Sequence, residues 1–390
     1  MAGTYAAATN DGRYRTTQGF CHHLMRTVPG RLEYSPGLDP SQIAQWREAV
    51  RSKLEELMAF PDVQGRPTPQ RLWSQGREGY TLEKWEAYPE PGNVVPYLML
   101  VPDAATPDHP APAVMCCPGS ATSKELLAGE EELSPKQPPN RHHDANRMAL
   151  WYVRAGMIAL AFDNPGVGEL AEGEDLVAAH GGGREKLSGE LIFMGRNYIG
   201  LSAYQKMAVL QWLKTLDHVD PERIALSGHS LGTEPAMMLT VLDDSIAALV
   251  FNDFLARFRD PYVARSHTYV DGRWGHVSPL WHLVPGLFAW FDYPDLLAAI
   301  APRPLLICEG GVTSRLRKVA QAYEDAGTPD AFHYEYYPRY QDPAARKHDG
   351  EELPEGLDLD RWFEYANVDV ANHAFKPDVA VPWLRRQFRM

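Results

Sequence analysis

The chain has 390 residues, 44% of them hydrophobic, and a formal net charge of −13. That length suits one large domain with an extension or two smaller ones. The acidic balance argues against nucleic acid or an anionic membrane surface as a partner. Four cysteines, Cys21, Cys116, Cys117 and Cys308, are too few for a disulfide framework, and three of them lie in apolar runs, where they read as small buried hydrophobes.

Residues 1–38 are irregular. Asp39-Pro40-Ser41 then opens a helix to about Phe60, with Asp39 as cap, Pro40 in the first turn and Ile43, Trp46, Val50, Leu54 and Leu57 on one face. Residues 78–102 alternate as two antiparallel strands around Glu90-Pro91-Gly92-Asn93. Short apolar strands follow at 113–117, 157–162, 223–227, 246–251, 304–308 and 333–337, and helices at 146–155, 204–216, 234–242 and 382–388. This alternation predicts a mainly parallel sheet with helices on both faces. We divide the chain into an N-terminal extension, 1–75, and a main domain, 76–390. Stretches 121–145, 168–200 and 254–282 are too long for plain connections and follow strands, so they should gather at the carboxyl edge of the sheet as a cap.

Ile224-Ala225-Leu226-Ser227-Gly228-His229-Ser230-Leu231-Gly232 is an apolar strand running into G-x-S-x-G, with a helix behind it. In that context the motif describes a sharp turn that lifts the Ser230 hydroxyl above the sheet. A serine nucleophile needs a base and the base needs an orienting acid. His373, after the last strand and before the last helix, is the candidate base; His348 competes but sits in a charged run. For the acid, Asp253 is preferred and Glu309 is the alternative, because Thr313 stands where a carboxylate would be expected after 305–311. Oxyanion donors are expected from the Leu231 N–H and from the loop carrying Gly119 and Ser120. His180-Gly181-Gly182-Gly183 has the composition of an oxyanion loop but follows the wrong strand. Arg196 could clamp a substrate or make a structural ion pair, and Trp274, Trp281 and His282 could wall a sugar-sized pocket or pack on themselves. The adjacent His142 and His143 point apart, so no metal is expected, and no cofactor motif is present.

Taken in order, these pieces resemble the α/β-hydrolase superfamily, and within it the bacterial acetyl xylan esterase-like branch, near the dienelactone hydrolases and prolyl oligopeptidases. The resemblance rests on Pro118-Gly119-Ser120 with Lys124-Glu125, Asp163-Asn164-Pro165-Gly166, Gly228 to Pro235, Asn252-Asp253-Phe254, His282 to Gly286, Ala301 to Pro304 with Glu309-Gly310-Gly311, and Asn372 to Lys376. It covers roughly residues 95 to 388. It implies Ser230 and His373 in catalytic roles and an acetyl or methyl ester substrate, on an oligosaccharide or another small molecule. Val312-Thr313 departs from the Leu-Asp that related chains tend to carry. A peptidase of the prolyl-oligopeptidase kind and a catalytically silent binding module are the alternatives. No apolar run reaches the ~20 residues of a membrane span, and no signal peptide is evident, so the expectation is a cytoplasmic protein, monomeric or a homo-oligomer.

Overall fold

The computed structural model describes residues 7–9, 11–120, 122–133, 142–172, 182–261, 269–270, 273–274, 280–354 and 357–390. Its eleven strands are β1 (Gln70–Arg77), β2 (Tyr80–Ala87), β3 (Val95–Pro102), β4 (Ala111–Cys117), β5 (Ile158–Phe162), β6 (Val219–His229), β7 (Ala248–Asn252), β8 (Tyr269–Val270), β9 (Arg273–Trp274), β10 (Leu305–Ile307) and β11 (Phe332–Tyr334). Nine of them form one sheet in the order β1-β2-β3-β5-β4-β6-β7-β10-β11. The first three run antiparallel, and β5 through β11 in that order are parallel. β8 and β9 make a separate small ribbon.

Eleven helices are described: α1 (Thr17–Thr27), α2 (Pro40–Met58), α3 (Lys124–Ala128), α4 (Met148–Arg154), α5 (Gly182–Phe193), α6 (Tyr198–Leu213), α7 (Thr233–Leu242), α8 (Tyr293–Ala298), α9 (Thr313–Asp325), α10 (Leu359–Tyr365) and α11 (Pro377–Gln387). α2 begins as its sequence predicts, with Asp39 accepting from Ser41 and Gln42 in a capping box. α1, α3, α5, α8, α9, α10, β1, β8 and β9 were not expected. In α1 the Thr16 hydroxyl oxygen accepts from the Gly19 N–H as its cap.

Period-two alternation splits the buried strands between two cores. Met115, Cys117, Leu226 and Leu249 face one layer with α2, α6, α7, α8 and α9. Val114, Cys116, Ala225 and Val250 face the other, closed by α4 and α11 through Tyr152, Trp383 and Phe388. Cys116, Cys117 and Cys308 are buried and free, and Cys21 is exposed. Because β4, β5, β6, β7 and β10 are parallel, their carboxyl ends bring residues 118–120, 122–125, 163–170, 230–233, 253–260 and 309–313 to one edge.

Candidate active site

Ser230 leaves β6 with φ of 51°. Left-handed backbone costs a non-glycine residue roughly 1–2 kcal/mol, and such strain collects at functional positions. The flanking glycines follow from backbone contact. A Cβ on Gly228 would lie 2.5 Å from the Gly232 carbonyl oxygen, and one on Gly232 would lie 2.1 Å from that of Cys117. The Thr233 hydroxyl donates to the Ser230 carbonyl at 2.7 Å and helps launch α7.

The loop after β4 passes directly over this turn. A Cβ on Gly119 would lie 3.2 Å from the His229 ring and 3.5 Å from Ser230 Cβ. Asn164, beyond β5, pins the loop by donating from Nδ2 to the Pro118 and Gly119 carbonyls at 3.0 and 3.1 Å. Below it, Lys124 is fully buried, with Nζ at 2.8 Å from Asp163, 2.7 Å from Glu125 and 2.8 Å from Glu169. Burial alone would lower the Lys124 pKa, but the three carboxylates override that and raise it, so it stays charged. Gly119, Ser120 and Leu231 therefore sit on a braced wall beside Ser230. Gly182 and Gly183 open α5, while His180 and Gly181 lie outside the described residues.

His373 ends a short 3-10 turn and presents Nδ1 to Glu309 Oε2 at 2.6 Å. Glu309 stands two residues beyond β10 and is fully buried. The same oxygen accepts from the Tyr337 hydroxyl at 2.7 Å; Oε1 accepts from the Ala374 N–H at 3.2 Å and Lys376 Nζ at 2.6 Å. Burial would raise this carboxyl, but His373 and Lys376 outweigh it and hold it at about 2. Burial would likewise lower His373, and the Glu309 charge and hydrogen bond lift it instead to about 9. The His373 ring lies 4.8 Å, centroid to centroid, from that of His229, the residue preceding Ser230. His229 is pushed down to about 3 by burial and then by His373, and its Nδ1 rests against Asn252. It is a neutral spacer between the elbow and the charged pair.

Asp253, the preferred acid from sequence, lies just past β7 and accepts from the Phe254 N–H at 2.8 Å. Burial raises its carboxyl to about 7 against the pull of His373. Suitable atoms of Asp253, Glu309 and His373 lie within 4.8 Å of one another, but the imidazole donates its hydrogen bond to Glu309. Thr313 opens α9 and bonds Asp349 and Tyr336 at 2.7 Å each, away from His373. His348 pairs with the exposed Glu351 and stacks on Tyr365, outside this edge.

The insertions supply the remaining candidates. Arg196 forks onto Glu90 at 2.8 and 2.9 Å, tying the end of α5 to the β2–β3 turn. Trp281 is buried, and its neighbour His282 presents Nδ1 to Glu234 Oε1 at 2.6 Å. The Trp274 backbone belongs to β9, and its side chain lies outside the described residues. The sequence reading missed Asn164, Tyr337 and Lys376 as supports and Glu234 as the partner of His282. Lys376, three residues after His373, was the one visible from sequence, as a cation beside a base that needs an anionic partner.

A sequence model of the Abhydrolase family matches residues 3–386. A crystal structure of a candidate acetyl xylan esterase from Bacteroides fragilis is 39% identical, with a TM-score of 0.90 and 97% of each chain covered. A glucuronoyl esterase from Solibacter usitatus shares the fold at 15% identity and a TM-score of 0.53, covering 77% of this chain and 86% of that one. A candidate hydrolase of Bacillus subtilis, YtaP, is 25% identical over 186 residues, which are 45% of this chain and 56% of that relative's length. The parallel sheet, the strained serine turn and the family match across nearly all of its length agree: this chain belongs to the Abhydrolase family.

Proposed function

We propose that the chain is a serine carboxylic-ester hydrolase in which Ser230 is the nucleophile, His373 the base and Glu309 the orienting acid. The observation that carries this is the 2.6 Å contact between His373 Nδ1 and the buried Glu309, with the imidazole packed beside the elbow that holds Ser230. With Nδ1 committed to Glu309, proton transfer falls to Nε2. It takes the Ser230 hydroxyl proton as Oγ attacks the ester carbonyl, and Glu309 stabilises the imidazolium without accepting the proton. The tetrahedral oxyanion is held by the Leu231 N–H and an N–H of the Gly119–Ser120 segment, each such donor worth roughly 100- to 1,000-fold in kcat. His373 then protonates the departing alcohol. Water, deprotonated by the same nitrogen, releases the acid from the acyl-enzyme.

The substrate we favour is an acetyl or methyl ester of a carbohydrate. Its support is the likeness to the Bacteroides fragilis candidate acetyl xylan esterase, 39% identical over 97% of both chains. The test is hydrolysis of p-nitrophenyl esters from acetate to octanoate, with fluorophosphonate labelling, by wild type and Ser230→Ala. Turnover and labelling by wild type alone are expected. Equal labelling of both proteins, or cleavage of peptide amides in preference to esters, would sink the assignment.

A further inference from the structure

Glu234 is a second buried carboxylate at the same sheet edge, and the chemistry above does not use it. It lies one helical turn past Ser230, in the first turn of α7, and is 5% exposed. Its Oε1 holds His282 Nδ1 at 2.6 Å, while Oε2 has no hydrogen-bond partner among the described residues. An orphaned buried carboxylate oxygen is costly, so such atoms call for an explanation. Trp281, 8% exposed, leaves a second atom without a partner among the described residues, its Nε1 donor, and its ring lies 5.8 Å from that of His282. The cluster adjoins the reacting groups: Glu234 stands in the first turn of the helix behind Ser230, and the His282 ring lies 5.8 Å from that of Phe258, on the segment that follows Asp253. The Arg184 guanidinium sits 4.2 Å from the Trp281 ring centroid, supplying a positive charge beneath the insertion.

The unused atoms define a chemistry. With Nδ1 given to Glu234, His282 keeps Nε2 as its remaining polar atom. Glu234 Oε2 is an acceptor and Trp281 Nε1 a donor. An acceptor, a donor and an imidazole nitrogen beside an aromatic ring suit the hydroxyls of a sugar rather than an aliphatic chain. We infer that Glu234, His282 and Trp281 form the subsite that selects a polyhydroxylated alcohol on the leaving-group side of the ester. This rests on the serine-esterase reading of the neighbouring site.

The test compares two acetyl esters, p-nitrophenyl acetate and a mono-acetylated methyl β-D-xyloside, in wild type, Glu234→Gln and His282→Phe. Loss of a hydrogen bond made to a substrate hydroxyl is expected to lower kcat/KM on the xyloside ester by roughly 10- to 100-fold. The expected change on p-nitrophenyl acetate is under about 3-fold, because its alcohol carries no hydroxyl for these groups to read. Equal losses on both substrates, or none on either, would overturn the subsite. Calorimetric titration with methyl β-D-xyloside provides a readout that needs no turnover: wild type should bind, and both variants should bind more weakly. If wild type cleaves neither ester, the catalytic reading fails by itself, and the titration still decides the subsite. Absence of binding to wild type, or equal binding by all three proteins, rejects it.

Discussion

Glu309→Gln separates the two carboxylates that the sequence left in competition. Glu309 is fully buried and accepts four hydrogen bonds, from His373, Tyr337, Ala374 and Lys376, at 2.6, 2.7, 3.2 and 2.6 Å. Glutamine keeps the shape, but its NH2 must face donors on one side or the other, and the negative charge between His373 and Lys376 is gone. Holding the carboxyl at about 2 rather than its ordinary 4.5 corresponds to about 3 kcal/mol of interaction with its charged surroundings. Loss of that much stabilisation of the imidazolium slows the reaction about 100-fold, and loss of the required tautomer can extend the deficit to about 10,000-fold. The assay is kcat/KM on p-nitrophenyl acetate for wild type, Glu309→Gln and Asp253→Asn, with circular dichroism confirming native folding of each. The reasoning fails if Glu309→Gln stays within about 10-fold of wild type, or if Asp253→Asn is the more damaged enzyme.

Other consequences follow from the same geometry. Because His373 is lifted from 6.5 to about 9 and must be neutral to act as base, the acid limb of the kcat/KM profile should fall above pH 6.5 and move down in Glu309→Gln; a wild-type limb below 6.5 would contradict this. Lys376 opposes protonation of His373, so Lys376→Met should move the limb further up. The pair's contribution to stability is full between about pH 4.5 and 6.5. It is lost as pH falls from 4.5 towards 2 through Glu309 and as pH rises through about 9 past His373, which urea melts across pH can follow. Gly232→Ala places a methyl 2.1 Å from the Cys117 oxygen and should destabilise the fold by about 3 kcal/mol as well as disabling the elbow; a melting curve like wild type would refute the close approach. Arg196→Ala removes the fork onto Glu90 and should cost about 1 kcal/mol of stability, with turnover of p-nitrophenyl acetate changed little. A large loss of turnover would instead place Arg196 on the substrate.

Some features of this chain are dictated locally and can be read without coordinates. The elbow is one, because the glycines at 228 and 232 answer to backbone contacts within a few residues and with the adjacent strand. The parallel sheet is another, since each short apolar strand and each amphipathic helix, such as α2 behind Asp39-Pro40, carries its own period. The site is different. β7 and β10 are hydrogen-bonded neighbours, so their ends deliver Asp253 and Glu309 to the same place although the residues are far apart in sequence. Which carboxylate meets His373 then depends on the turn after β10 and on Tyr337 and Lys376, which arrive from other segments. Glu234 and His282 meet in the same way, one from a helix and the other from an insertion. Sequence by itself determined the strained serine turn and the frame, because short-range backbone sterics and side-chain periodicity encode them. Only the tertiary structure decided which carboxylate meets His373 and which neighbours surround the pair, because contacts between distant segments are set by the packing of the whole sheet edge.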